Sequence, residues 1–267
     1  MKAQRIAGIV LRQFYLIRGS FTRFFPLFAW VAIDMVLWGF ITKYLNTVSG
    51  SGLNFVPQLL GAVLLWDFLV RVMQGVTMAF FEDVWSRNFI NFFATPLLTG
   101  EYLAGLVLSS IASSLVGLTA MLLIAGSVFG LSLFAYGAML VPFVLVLYLF
   151  GIALGILCCA MVLRLGPAAE WFVWPIPAMV SPFVGVFYPL ETLPTWMQYV
   201  GHALPPSYVF EGMRAIVFGA AVPVQQLAWG GVLALAYIAV ACWLFIRVYR
   251  HALRTGLIAR YSAESVS

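Results

Sequence analysis

Residues 82–101 read EDVWSRNFINFFATPLLTGE, the densest charged island between two long apolar regions of the chain. Charge here marks a membrane face, because a charged side chain at the centre of the hydrocarbon costs about 2.5–3.5 kcal/mol on insertion scales. The island is not an ordinary solvated loop. Trp85, Phe89, Phe92 and Phe93 recur at helical spacing, and Asp83, Arg87, Asn88 and Asn91 supply the polar remainder. That pattern predicts a short amphipathic helix lying across the ends of spanning helices. Thr95-Pro96 then restarts the chain, since Thr caps helices well and Pro at the first helical position loses only an N–H that has no partner there. Such an element gives a soluble partner something to push on.

The regions on either side of the island settle the class. Of 267 residues, 64% are hydrophobic and 9% charged, and the mean hydropathy is +1.04. A globular chain carries about 25% charged residues, so this one cannot hide its apolar surface in a soluble core and reads as an all-α polytopic membrane protein. A net charge of +5 would point to nucleic acid in a soluble chain. Here most Lys and Arg sit at the two chain ends, where the membrane surface accounts for them, and nucleic acid is not an expected partner. Cys158, Cys159 and Cys242 lie in apolar runs and read as small packing residues, with no metal site or disulfide framework among them.

Upstream of the island, a span over about 55–81 carries Asp67, Arg71 and Gln74, and Asp67 and Arg71, one helical turn apart, can pair. A Gly/Ser/Asn turn at 46–54 separates it from a first span over about 24–45, apolar apart from Asp34 and closed by Lys43. Before that, Arg5, Arg12 and Arg18 are interleaved with Ile6, Val10, Phe14, Ile17 and Phe21. The apolar members fall in one arc, which predicts an interfacial helix within 1–23, favoured next to anionic lipid, in place of a plain basic tail or a signal peptide.

Downstream, no charged residue occurs from Tyr102 to Leu163, a length that needs two spans, broken near Phe129-Gly130-Leu131-Ser132. A short loop with Arg164 and Glu170 leads to a fifth span from about Trp171. Pro175, Pro177 and Pro182 should kink or break that span. Residues 189–223, rich in Pro and aromatics, fit two short external helices dipping back toward the membrane, a break tolerated only where protein or a wet cavity receives it. A last span within 224–250 runs into Arg247, Arg250, His251 and Arg254, and a tail follows over 251–267. The layout is a single transmembrane domain of six spans, with 24–81 and 99–188 flanking the island at 82–98.

Orientation follows from the cations. With the amino terminus inside, one face collects Lys2, Arg5, Arg12, Arg18, Arg23, Arg87, Arg164, Arg247, Arg250, Arg254 and Arg260. The other has Lys43 and Arg214, and with Arg71 inside a span these account for all 14 Lys and Arg. Both termini and the island are therefore placed in the cytoplasm, and the proline-rich region outside. Neither Lys2 nor Lys43 stands in a Gly-x-x-x-x-Gly-Lys loop, so phosphates are not cradled in the P-loop manner and any ATP is hydrolysed elsewhere. No His-Glu-x-x-His, Gly-x-Ser-x-Gly or His/Cys cluster supplies enzyme chemistry either.

These features together resemble the membrane subunit of the ABC-2 exporter family. The resemblance rests on Glu82-Asp83 leading to Thr95-Pro96-Leu97, then Leu193-Pro194-Thr195-Trp196-Met197, then Pro205-Pro206-Ser207-Tyr208-Val209-Phe210-Glu211-Gly212-Met213-Arg214. It covers nearly the whole chain, although Asn88-Phe89-Ile90-Asn91 and Pro205-Pro206 stand where many relatives carry Gly-Thr and Asn-Pro. It implies that the helix with Arg5, Arg12 and Arg18 and the segment with Asp83, Trp85, Arg87, Phe89 and Phe92 meet a separate ATP-binding subunit, normally two copies. ATP and Mg belong to that subunit, and this chain holds no cofactor. A second permease, a copy or a paralogue, completes the complex in a bacterial inner membrane. The external helices would contain Pro194, Trp196, Pro205, Pro206, Glu211 and Arg214.

Individual residues carry more than one reading. Asp34, Asp67 and Arg71 are too costly to face lipid and must face protein or water; the Asp67–Arg71 pair is structural or touches substrate, and Asp34 forms an interhelix bond or lines the pathway. Phe183, Phe187 and Tyr188 line an exit for an amphipathic substrate or form an interfacial aromatic belt. Gly151-x-x-x-Gly155 permits close helix approach, within the chain or between subunits. The function read from all this is export of a lipid-linked glycan, lipid or drug. Its rivals are an ion-coupled secondary transporter using Asp34, Asp67 and Arg71, and a membrane-embedded transferase with Asp67 or Glu211 as base. No repeated pair of broken spans, the usual sign of inverted halves, supports the secondary transporter.

Overall fold

The computed structural model describes residues 2–19, 21–48, 56–86, 95–131 and 133–255. Its helices are α1 (Ala3–Arg18), α2 (Phe21–Val48), α3 (Gly61–Trp85), α4 (Thr99–Phe129), α5 (Leu140–Leu165), α6 (Glu170–Val173), α7 (Ile176–Val180), α8 (Thr195–Ala203), α9 (Pro205–Val217) and α10 (Val224–Arg254). Among the described residues four helices are long and apolar enough to cross a membrane, those that contain α3, α4, α5 and α10. α2 adds a helix of 28 residues. The helix expected over 87–94, with Arg87, Phe89 and Phe92, lies outside the described residues, as does the tail beyond Thr255.

α3 and α5 form the core. Within their apolar windows 67% and 72% of residues are buried, against 22% for α4 and 17% for α10, so the latter two turn most of their apolar surface outward, as helices facing lipid do. Between helices in lipid there is no hydrophobic drive, and close approach through small residues takes its place. Gly151 and Gly155 show this: a Cβ on the first would come 2.9 Å from the Leu69 carbonyl oxygen, and on the second 3.0 Å from that of Met73. The Gly-x-x-x-Gly of α5 is thus spent inside the chain, on α3. α4 docks on α3 in the same way, where a Cβ on Gly75 would meet Ser110 Oγ at 2.6 Å and the Ser110 hydroxyl donates to the Val72 carbonyl at 2.9 Å. α10 is held by aromatic pairs, Phe245 edge-on to Phe80 and Tyr237 edge-on to Phe150. α2 attaches along one stripe, with Met35 buried among Leu60, Val63, Leu64 and Met121, while Trp30, Ile33, Leu37, Phe40 and Tyr44 stay exposed.

Helix ends correct one expectation and bear out another. α4 does not start at Thr95-Pro96, which form a turn. It starts at Thr99, because the Glu101 carboxylate accepts the Leu98 N–H at 3.1 Å and caps the first turn there. It ends where a break is read from sequence: Gly130 takes a left-handed conformation, φ 69°. The Gly130 and Leu131 N–H groups close the last turn on the Gly126 and Ala125 carbonyls. The proline-rich stretch that follows α5 is not one continuous helix, since Trp174-Pro175 separate α6 from α7 and Pro lacks the N–H that continuity needs. α8 and α9 meet at Leu204, whose extended backbone is what Pro imposes on the residue before it.

The bundle has two distinct ends. α1 gathers with the carboxyl ends of α3 and α5 and the start of α4. α8 and α9 belong to the other end, where Phe210 approaches Trp66 and a Cβ on Gly212 would meet the Phe143 ring at 3.0 Å.

Candidate functional site

At the α1 end, the sequence supplies the carboxylates of Asp83, Glu101 and Glu170, beside that of Glu82, on helix termini that the topology brings together. Asp83 is completely buried, and both of its oxygens are used. Arg12 of α1 donates to Oδ1, and the Tyr102 hydroxyl of α4 donates to Oδ2 at 2.7 Å. Arg5 donates to Glu101 Oε2 at 3.2 Å and to the carbonyl of Pro96, and the Lys2 backbone N–H reaches Glu101 Oε1 at 2.7 Å. Between these clamps Ile9 rests on Gly105, where a Cβ would come within 2.7 Å, and Gln13 Nε2 donates to the Ala79 carbonyl at 3.3 Å. α1 therefore splints the segment between Asp83 and Glu101 at both of its roots.

That geometry changes the reading of α1. Two of its three arginines do not point at lipid headgroups, because carboxylates on the bundle end attract them more strongly at close range; Arg18 is exposed. Leu11, Phe14 and Tyr15 are left outward, each more than half exposed. Asp83 faces inward and holds α1, α3 and α4 together. Trp85 is half exposed and donates its indole N–H to Glu170 Oε2 at 3.0 Å. Arg87, Phe89 and Phe92 follow beyond the described residues.

Midway along the bundle, the structure joins what the sequence pairs only in part. The charges of Asp67 and Arg71 on α3 act on each other and on that of Asp34 on α2. Asp34 on α2 is therefore near enough to the two charges of α3 to feel them across the helix boundary. Gly117 of α4 makes room for Arg71, since a Cβ there would come 3.0 Å from Arg71 Cδ. Asp34 is only half-buried, next to the exposed Ile33 on one side and the buried Met35 on the other.

At the α9 end, Arg214 is not a surface cation as the charge count treats it. It is 5% exposed, donating to the Gly185 carbonyl and to Glu211 Oε1, each at 2.7 Å. Glu211 Oε1 also accepts the Leu190 N–H at 2.9 Å. Gly185, φ 65°, turns the chain tightly under the guanidinium, where a Cβ would meet the Tyr188 carbonyl oxygen at 2.9 Å. Around this tie the aromatics pair: Phe187 stacks on Trp38 of α2 at 5.1 Å, Phe183 meets Trp196 edge-on, and Tyr188 donates to the Pro182 carbonyl at 2.8 Å. Pro194 opens α8; Pro205 and Pro206 are buried at the start of α9.

Sequence reasoning misses Tyr102, Gln13, Glu170 and Gly117, each of which works through a partner on another helix, and spacing within one helix carries no signal for that. Glu170 alone of these leaves a trace, as an acid in the first turn of a helix, and Glu101 leaves the same one. Among the described residues no group of His, Cys, Asp and Glu is arranged to hold a metal ion. The family described as ABC-2 type transporter matches residues 9–218, from within α1 to just past α9. No curated protein matches the chain.

Proposed function

Since this chain belongs to the ABC-2 type transporter family as its membrane permease, we propose that it is the membrane half of an ATP-driven exporter moving an amphipathic substrate such as a lipid-linked glycan, lipid or drug. A separate ATP-binding subunit, two copies per complex, hydrolyses Mg-bound ATP, and two permeases enclose the path. The chain crosses a bacterial inner membrane six times with both termini in the cytoplasm, and residues 170–188 make the fifth crossing as a broken helix. The external helices of 189–223 re-enter the membrane from outside.

The observation that carries the mechanism is the splinting of residues 83–101 by α1. Arg12 holds one root of the coupling segment through Asp83, and Arg5 holds the other through Pro96 and Glu101. A displacement of that segment by the ATPase is therefore handed to α1, α3 and α4 together. α3 is the packed centre of the bundle, and interiors packed to this density move as bodies and do not deform continuously. Its rocking moves Asp67 and Arg71 against Asp34 and opens the path toward Phe183, Phe187 and Tyr188.

The partner contact is aromatic, through Trp85, Phe89 and Phe92, with Arg87 at its rim. Truncating buried interface aromatics commonly costs 2 kcal/mol or more, about a thirty-fold loss of affinity. Phe89→Ala should accordingly weaken co-purification of the ATPase in detergent and abolish substrate-stimulated ATP turnover after reconstitution, with membrane insertion unchanged. Undiminished capture and turnover in a Trp85→Ala, Phe89→Ala, Phe92→Ala triple variant would remove the coupling role from this segment.

A second reading, an ion-coupled transporter, draws on one observation, the three mutually acting charges inside the bundle. Vesicles holding the permease alone distinguish the two: transport driven by an ion gradient without ATPase supports the second, and transport only with ATPase and ATP supports the first.

A further inference from the structure

Two groups of arginines differ in what they hold. Arg5, Arg12 and Arg214 each hold a carboxylate. Arg247, Arg250 and Arg254, near the end of α10, hold none among the described residues, and α10 itself contains no Asp or Glu. With His251 they share one helix face, because offsets of three, four and seven positions return to the same side. The same face continues toward the bundle with Ile246 and a half-exposed Trp243, and the Arg247 guanidinium lies over the Trp243 ring, 5.1 Å from its centroid. Together these side chains line a groove of about 440 Å³, apolar at one end and cationic at the other.

An anchor that only fixes orientation needs charge near a helix end. It does not need the charges aligned on one face, nor a guanidinium stacked over an aromatic ring at the apolar boundary. A ligand matching this face carries an anion at the membrane surface and hydrocarbon just inside it. We propose that the carboxyl end of α10 is a binding site for an anionic phospholipid, its phosphate held by Arg247, Arg250 and Arg254 and its acyl chain laid against Trp243 and Ile246. Arginine suits the phosphate because its planar fork donates two parallel hydrogen bonds. Tyr249, on the opposite face of the same turns, is buried and stacks on Phe245, which meets Phe80 of α3 edge-on, so a lipid seated here touches a helix that is itself packed on α3.

The test is native mass spectrometry of the full-length chain, delipidated in neutral detergent and titrated with phosphatidylglycerol or with phosphatidylcholine of the same acyl chains. Each basic residue near an anionic surface contributes about a five-fold factor, so wild type should prefer the anionic lipid by at least about ten-fold. An Arg247→Gln, Arg250→Gln, Arg254→Gln variant should lose that preference, and Arg164→Gln, an exposed arginine of the same end, should keep it. Because the three side chains are exposed, the triple variant is expected to fold, which its unchanged elution and helicity would verify. Excess inorganic phosphate should leave the lipid bound. Equal binding of the two lipids, a preference that survives in the triple variant, loss of preference on changing Arg164 alone, or displacement by inorganic phosphate would each overturn the proposal.

Discussion

Asp83 concentrates the chemistry of the α1 end in one carboxylate. Its oxygens accept from Arg12 and Tyr102, and it has no exposed surface, so neither water nor a neighbouring side chain can replace a partner that is lost. Removing one member of a buried charge pair costs about 3–5 kcal/mol, and a hydrogen bond to a charged group contributes about 1.5–3 kcal/mol. Asp83→Ala should therefore lower the melting temperature of the purified protein more than Tyr102→Phe, and the double variant should fall little below Asp83→Ala alone. Thermal melts of the four proteins in one detergent check this as a double-mutant cycle. Additive losses would mean that Tyr102 and Asp83 do not work through one another.

At the scale of elements, α1 shows why amphipathic periodicity does not name the face that a helix buries. Ile6, Val10 and Phe14 lie in one arc, yet the residues sunk into the protein are Ile9 and Gln13, with Phe14 turned out. For a surface helix in water the apolar arc must face the core; at a membrane boundary it has lipid as a second apolar solvent. The polar edge is free to seek carboxylates. The seat for α1 is Gly105, and a larger side chain there has to push Ile9 away. Overpacking of this kind costs about 1–3 kcal/mol, concentrated on one docking contact. Gly105→Leu should release α1, seen as faster proteolysis within residues 3–18 while α3 and α5 stay protected. Proteolysis at the wild-type rate would show that α1 is held by its ion pairs alone.

Over the whole molecule, the two ends of the bundle are chemically unlike. The α1 end carries the arginine–carboxylate clamps and the basic face of α10, and the α9 end carries the Arg214–Glu211 pair and paired aromatics. The proposed topology puts the α1 end in the cytoplasm. Ser86 and Thr195 are exposed at opposite ends, which makes them direct reporters. With Cys158, Cys159 and Cys242 replaced, a single cysteine at Thr195 should react with an impermeant thiol reagent in intact cells, and one at Ser86 only after lysis. The reverse pattern would invert the assignment.

The sequence by itself determined that this chain lives in a membrane, because 64% hydrophobic residues leave no soluble alternative. It also determined where helices break, because Gly130, Pro175 and Pro205 constrain the backbone locally whatever surrounds them. The family, too, is legible in its ordered motifs. Tertiary structure alone decided which polar groups meet. Glu101 finds Arg5, Asp83 finds Arg12 and Tyr102, and Arg214 finds the Gly185 carbonyl, each from a distant part of the chain. Gly151 and Gly155 face α3 and not a second subunit for the same kind of reason: a small residue permits close approach, but which helix arrives depends on how the whole bundle closes. Helix periodicity is a local property, whereas satisfying a buried charge in a medium without water requires a partner wherever the fold can bring one.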